Sequence, residues 1–367
     1  MKIMEQTHFT HRAQNTLGFV PCLHCGHKQV QMADRPQKRL LFCLHCGAIE
    51  TSIATGQQLI RAPFDPEFMA IKPKVNQARH IIDEAVTQYN PLTCYSLLSG
   101  GHDSLVTTHV VCSHPRFYGH RMAQGALRSV VHIDTGIGVK ETRQFVQDVC
   151  QYYNWPLKVC RATEYERADG TPDPQIYAEL VKQYGFPGPG HHQKMYDRLK
   201  GRPLNQLVRK TKQTRSDKIM LLSGVRQNES DRRMGYDHPV DVDGAKVWVN
   251  PCFYWSKEDC ALYMKTHILP INEVVRRLCM SGECLCGAFA KPGELEILRA
   301  EYPEVANHIE TIEGQVEFPW RWDEQPPKWW NAHQQGQGFL PGLTPRPKKR
   351  QKAHMCTSCE FKTGLSK

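Results

Sequence analysis

The stretch from Tyr95 to Leu105, YSLLSGGHDSL, constrains this chain more than any other. Tyr95 to Leu98 reads as a buried strand. Ser99-Gly100-Gly101-His102-Asp103-Ser104 then turns, and Leu105 to Val111 starts like a helix. Two glycines let the backbone come close to an anion. Backbone N–H groups at a helix N-terminus face that anion, and Ser99 and Ser104 add hydroxyls. Strand, glycine turn and helix together predict a phosphate cradle. The competing reading is a plain Ser-Gly-Gly turn.

The surroundings favour the cradle. From about Val75 to Asn272, short β-branched runs alternate with amphipathic stretches. The runs are Cys94–Ser99, Ser129–Asp134, Leu157–Ala162, Ile219–Gly224 and Val247–Phe253. Val139–Tyr153 carries Val139, Phe145, Val146 and Val149 at roughly helical spacing. Strands alternating with helices imply an α/β fold, a mostly parallel sheet covered on both faces. Between about Thr163 and Asp217 the pattern gives way to a long connection rich in Gly, Pro, His, Lys and Arg, and connections of that length are usually functional.

No apolar run approaches the ~20 residues that span a bilayer. The opening MKIMEQTHFTHRAQ has no apolar core of a secretory signal, so a cytoplasmic protein with no membrane partner is expected. In that setting fifteen cysteines point to metal or redox chemistry rather than a disulfide scaffold. Cys94, Cys112, Cys150, Cys160, Cys252 and Cys260 are scattered among apolar residues and read as small core hydrophobes. The formal net charge of +10 favours a phosphate-rich partner, from nucleotide to nucleic acid.

Cys22-Leu-His-Cys25 and Cys43-Leu-His-Cys46 stand seventeen residues apart, each pair followed by glycine. Two such knuckles bring four thiolates into a tetrahedron suited to Zn²⁺. A structural zinc ribbon within residues 1–60 is expected, drawing its folding energy from the metal. His24, Lys28, Arg35, Lys38 and Arg39 would let it touch nucleic acid.

Ser-Gly-Gly-x-Asp-Ser after a strand resembles the signature of PP-loop ATP pyrophosphatases. That resemblance implies a Rossmann-like PP-loop domain over residues 75–275. It implies ATP or a sulfonucleotide bound by Ser99, Gly100, Gly101, His102, Asp103 and Ser104, with Mg²⁺. Family members commonly carry Lys where His102 stands, so a permanent charge is replaced by one that titrates near neutrality. VVHIDTG (Val130–Gly136), followed by Glu141-Thr142, is similar to a second strand of the phosphoadenosine-phosphosulfate reductases, with Asp134 beside the nucleotide. LLSGVRQNESDRR is similar to their G-x-R-x-x-E-S-x-x-R segment, on Gly224, Arg226, Glu229, Ser230 and Arg233. Arginines there offer planar paired donors to phosphate or sulfate oxygens. Asp103, Asp134, Arg226, Glu229 and Arg233 are the expected catalytic set. VNPCFYWSKEDCALYM looks like the family's fifth strand and following helix. His191, His192, Lys194, Arg198 and Lys200 are candidates for a basic lid, and an exposed turn is the equal alternative for the two histidines.

Residues 276–367 carry Cys279, Cys284, Cys286, Cys356 and Cys359. Cys284 and Cys286 with Cys356 and Cys359 resemble the [4Fe–4S] ligands of iron–sulfur sulfonucleotide reductases. DNA-phosphorothioation ATPases, another PP-loop branch, also carry four cysteines near this place. Zinc is the alternative occupant, since thiolate count does not choose between them. Phosphosulfate reductases use a C-terminal E-C-G-x-H tail, whereas this sequence closes CTSCEFKTGLSK. The expected function is therefore ATP-dependent adenylation that supports sulfur transfer to a nucleic acid or nucleotide, with DNA or RNA as substrate and a sulfur-donor protein as partner. The alternatives are a phosphoadenylyl- or adenylyl-sulfate reductase, and a nucleic-acid-binding protein on an inactive PP-loop fold.

Overall fold

The computed structural model describes residues 29–35, 38–43, 49–55, 58–62, 66–117, 125–188, 192–227, 238–288, 290, 293–317 and 320. For 29–62 and 66–69 it describes the backbone alone. Strands β1 (Gln29–Arg35), β2 (Lys38–Cys43), β3 (Ile49–Thr55) and β4 (Gln58–Ala62) form an antiparallel meander in that order. Cys43 closes β2 opposite Gln29. Cys22, Cys25 and Cys46 fall outside the described residues, so the expected ribbon does too.

Helix α1 (Pro66–Tyr89) leads into the second sheet. Its strands are β5 (Thr93–Leu97), β6 (Leu127–Asp134), β7 (Leu157–Arg161), β8 (Ile219–Leu222), β9 (Val240–Asp243) and β10 (Lys246–Val249). They lie in the order β7-β6-β5-β8-β10-β9. All neighbours are parallel except β10 and β9. Chain order runs outward from β5 to β7 and then returns to β8 on the other side, so the switch point lies between β5 and β8, where open α/β sheets bind ligands.

Alternation along the strands sorts the core. Cys94, Met220, Leu222, Val247 and Val249 pack with α1 residues Ile81, Ile82 and Ala85. Tyr95, Leu97, Val131, Ile133, Leu221 and Trp248 face the other way, onto Leu204, Leu207 and Val208. Burial on both faces explains why the strands read as near-continuous apolar runs. Helix α2 (His102–Cys112) follows β5 and α3 (Lys140–Tyr152) follows β6.

The connection from Thr163 to Asp217 departs from its sequence reading. It holds α4 (Tyr177–Tyr184), α5 (His192–Tyr196) and α6 (Arg202–Thr211), with a π-turn at Asp197–Gly201 joining the last two. Leu204, Leu207 and Val208 give α6 its apolar stripe, which the many basic residues around it obscure. After β10 come α7 (Lys257–Thr266), α8 (Glu273–Leu278), α9 (Glu294–Glu301) and α10 (Pro303–Glu313). A capping box of Ser256 and Asp259 starts α7. One apolar cluster joins Ile137, Val139 and Tyr177 to Leu285, Leu298, Ile309 and Trp320. The segment carrying Cys284 and Cys286 is thus packed against the front of α3. Among the described residues no helix is long and apolar enough to cross a membrane.

Of the six scattered cysteines, Cys94, Cys150, Cys252 and Cys260 are buried, while Cys112 and Cys160 are half-buried. Burial pushes the Cys252 thiol up to about 12, so it behaves as an apolar group at neutral pH.

Candidate active site

The turn after β5 is built from hydroxyls. Ser104 Oγ accepts from the Ser99 amide (3.2 Å), donates to the Gly101 carbonyl (2.9 Å) and lies 2.9 Å from Ser99 Oγ. Ser99 Oγ in turn accepts weakly from the Gly101 amide. Gly100 holds φ +85°, and a Cβ there would sit 2.8 Å from Thr142 Cγ2. Gly101 caps α2 without any side-chain hydrogen bond. The first N–H groups of α2 are therefore left to an outside acceptor.

A buried carboxamide fixes the loop from behind. Asn272 Nδ2 donates to the Gly100 carbonyl (3.0 Å) and to Thr142 Oγ1 (3.2 Å), while its Oδ1 caps α8 at Val274. Thr142 Oγ1 donates onward to the Ser281 carbonyl. Further bonds stitch residues 281–285 to the start of α3: Val139 N–H to Gly282 O (2.7 Å), Thr135 Oγ1 to Glu283 O (2.9 Å) and Leu285 N–H to Ile137 O (2.8 Å). Phosphate loop, α3 and cysteine segment form one hydrogen-bonded unit. Sequence reading missed Asn272 and Ser281. Asn272 reads as an ordinary helix cap, and nothing in the sequence says that the same amide reaches a loop 172 positions away.

Asp103 faces inward. Its Oδ2 accepts from Arg226 Nη2 at 2.9 Å, with the arginine side chain only 3% exposed. The Cys260 thiol also bonds this carboxylate, and burial holds that thiol well above its usual range. Gly224 is what brings Arg226 here. A Cβ at Gly224 would lie 2.7 Å from the Ser104 amide nitrogen and 2.8 Å from the Asp103 carbonyl carbon, so the chain leaving β8 runs directly against α2. The expected cluster of Gly224, Arg226 and Asp103 is thus brought together by the fold. Glu229 and Arg233 lie outside the described residues, as does His191.

Two polar atoms beside the loop lack partners among the described residues: His102 Nε2 and Ser281 Oγ. Ser281 is 4% exposed, and its Cβ lies 3.5 Å from where a Gly101 Cβ would be. Burial lowers the His102 pKa below its ordinary 6.5. Asp103 opposes that shift, and Lys257 and Arg276 reinforce it. At neutral pH His102 therefore presents an uncharged imidazole. An uncapped helix start with two spare buried polar groups fits an extended anion such as a polyphosphate.

Asp134 ends β6 one strand away. It accepts from the Gly136 amide (3.0 Å) and Arg143 Nη1 (3.3 Å), with Arg161 Nε at 3.9 Å. It lines a cavity of about 250 Å³ with His132, Lys140, Arg143 and Arg161, to which residues 99–104 do not contribute. Three of the candidate lid residues, Lys194, Arg198 and Lys200, are committed elsewhere, and His192 is buried. Lys194 stands 3.5 Å over the Tyr184 ring, and Arg198 donates to the Tyr184 hydroxyl at 3.0 Å. Lys200 is buried against Glu283 at 3.2 Å, tying the π-turn to the cysteine segment.

Cys284 and Cys286 share a thiol hydrogen bond. That bond first, and burial second, push the Cys284 thiol well up. The pair fits one half of a four-thiolate site. Cys279 sits apart and exposed, as the left-handed cap of α8. Cys356 and Cys359 lie outside the described residues, and among those described no three His, Cys, Asp or Glu side chains gather as a metal site.

The phosphoadenosine phosphosulfate reductase domain matches residues 93–285, more than half of the chain. The chain belongs to this family. The match begins at β5 and ends between Cys284 and Cys286, so it includes the stitched residues 281–285 with Cys284. An uncharacterized protein of Methanocaldococcus jannaschii is 25% identical over 216 residues, covering 58% of this chain. The chain spans 40% of the length of that curated relative. Among solved structures, phosphoadenylyl-sulfate reductase from Candida auris is 16% identical with a TM-score of 0.38, covering 61% of this chain and 93% of its own. The U34-tRNA thiolase NcsA from Methanococcus maripaludis, with its [4Fe–4S] cluster, is 12% identical with a TM-score of 0.34, covering 67% and 78%.

Proposed function

We propose that this family member binds ATP at residues 99–104, cleaves it between the α and β phosphates, and uses the resulting adenylated substrate for sulfur transfer to a nucleic acid or nucleotide. The observation that carries this reading is the uncapped start of α2 beside two buried polar atoms, His102 Nε2 and Ser281 Oγ, that have no partner among the described residues. The helix N–H groups and Ser99 hold the departing pyrophosphate. Arg226 anchors Asp103 so that the loop keeps its shape before substrate arrives. Catalysis by such a loop is positioning and charge stabilisation. A substrate oxygen attacks the α-phosphorus, the α–β bridging P–O bond breaks, and pyrophosphate leaves. Hydrosulfide-level sulfur from a donor protein then displaces AMP at the activated carbon.

Mg²⁺ bound with the nucleotide would neutralise phosphate charge, Zn²⁺ held by Cys22, Cys25, Cys43 and Cys46 would fold the N-terminal unit, and a [4Fe–4S] cluster on Cys284, Cys286, Cys356 and Cys359 would hold sulfur. A second reading, reduction of a sulfonucleotide, draws on the paired Cys284 and Cys286 thiols in a segment stitched to the phosphate loop.

The test is product analysis on anaerobically purified protein, given ATP with hydrosulfide and mixed RNA or DNA, or given adenylyl and phosphoadenylyl sulfate. AMP with pyrophosphate, lost in Asp103→Asn, is the expected result. ADP with orthophosphate would sink the α–β cleavage, and sulfite from either sulfonucleotide would install the second reading. Metal analysis on the same sample should return about four irons and one zinc per chain.

A further inference from the structure

A basic concavity lies at the opposite end of the sheet from the phosphate loop. It has a volume of about 450 Å³ and is lined by Asn205, Arg209, Lys212, Thr214, Arg215 and Lys246, among others. No carboxylate lines it. The topology fixes its place. Ile219 and Lys246 are the first paired residues of the parallel strands β8 and β10, so the concavity sits at the amino ends of the strands, and the phosphate loop follows the carboxyl end of β5.

Its cations are held ready. Arg209 Nη2 donates to the carbonyls of Glu166 (2.7 Å) and Arg167 (2.9 Å), and Lys212 Nζ to that of Arg215 (3.1 Å). A carbonyl partner orients a cation without cancelling its charge. Arg215 is exposed and makes no ion pair among the described residues. Lys246 bonds Asn205 Oδ1 (2.9 Å) and pairs with Asp243 (2.8 Å). The nearest acid in the loop, Asp217, is turned onto the amides of Gln213 (2.7 Å) and Thr214 (2.8 Å) and the Thr214 hydroxyl. Cations at the end of α6 serve the helix dipole in part, but Arg215 and Lys246 lie beyond the helix and gain nothing from it.

We infer that this face binds the phosphodiester backbone of the nucleic acid whose modification is proposed above. A concavity of 450 Å³ far exceeds what one phosphate fills. Spread Lys and Arg interleaved with Asn, Gln and Thr is the makeup of a backbone-tracking surface rather than a single-ion pocket. Placed at the far end of the sheet, it leaves the phosphate loop free for ATP, so the substrate is a polymer long enough to reach round the domain.

The experiment uses the full metallated chain and a labelled 40-nucleotide single-stranded RNA, with DNA of the same sequence as the second probe, read by fluorescence anisotropy. Lys212→Glu/Arg215→Glu is compared with Lys182→Glu/Lys158→Glu, a pair of equal charge change placed elsewhere. Thermal melting checks that both are folded. The expected result is at least tenfold weaker binding in the first variant only. The slope of log affinity against log salt should fall by about 1.4, at ~0.7 for each of two contacts on a single strand. Preference for RNA or for DNA then names the polymer. Equal weakening in both variants, no binding by the parent chain, or displacement of the probe by low-millimolar orthophosphate would each overturn the assignment. ATP affinity, measured in parallel, separates the two ideas. If it is intact while nucleic-acid binding is unaffected by Lys212→Glu/Arg215→Glu, this face is wrong and the phosphate loop stands.

Discussion

The two ends of the parallel sheet handle charge in opposite ways. At the carboxyl end, the donors beside the loop are backbone N–H groups, hydroxyls and a neutral imidazole, and the buried Arg226 is already matched by Asp103. At the amino end, the donors are long side chains, Arg209 and Lys212 half-buried and tied to carbonyls, Lys246 paired with Asp243, and Arg215 exposed without an ion pair among the described residues. The first arrangement reads the shape of one ligand at short range. The second attracts any polyanion at long range and is screened by salt. One fold thus sets a short-range anion site and a long-range basic face at opposite ends of its sheet.

The contrast breaks most sharply at the Asp103–Arg226 pair. Removing either partner should cost about 3 kcal/mol of stability, because it leaves a charge poorly matched inside the protein. Asp103→Ala should therefore lower the denaturation midpoint as well as abolish turnover, and Asp103→Asn is the cleaner probe of catalysis. A charge reversal at Arg215 should leave the midpoint within about 0.5 kcal/mol. If the two substitutions destabilise equally, the ends do not differ as described.

Acid should loosen the loop end. His109, on the same helix as the loop, is buried against the Tyr263 hydroxyl at 2.8 Å, and burial depresses its pKa to about 3. Burial drives His267 well below its ordinary value too. The unfolded chain, with histidines near 6.5, binds more protons than the native one below that pH. Stability is therefore full above pH 6.5 and declines as pH falls toward 3, by about 2 kcal/mol from His109 alone at pH 5. Denaturant titrations at pH 7 and pH 5 measure this. A His109→Gln variant that keeps the full loss would mean that other groups carry it.

The smallest expected effects concern His102. Because its imidazole is neutral near pH 7, ATP affinity should rise as pH falls through the depressed pKa. His102→Lys should tighten ATP by about 1 kcal/mol and remove that pH dependence. An unchanged profile in isothermal titration would place His102 outside the phosphate site. Salt sharpens the same distinction: raising it from 50 to 200 mM should weaken RNA binding far more than ATP binding.

Much of the candidate site was legible because its chemistry is local. Ser-Gly-Gly-His-Asp-Ser between an apolar strand and a helix needs no distant partner to imply an anion site, and β5 and α2 form within a few residues of the expected bounds. Gly224 and Arg226 were legible as a motif, but not for the reason the structure gives. The glycine clears room for α2, and the arginine holds Asp103. The helices between Thr163 and Asp217 were missed because basic residues surround the three apolar positions that define α6.

The sequence by itself determined the alternating strands and helices, the phosphate turn and the cysteine spacings, since each depends on neighbours a few residues apart. Tertiary structure alone decided that Asn272 grips the Gly100 carbonyl, that Ser281 is buried beside the loop with no hydroxyl partner among the described residues, that the segment of Cys284 and Cys286 is stitched to the start of α3, and that Arg209 and Lys246 share one concavity. Those contacts join residues far apart in the chain. Side-chain periodicity reports only which face an element buries, while the partner across that face is chosen by how the sheet orders its strands.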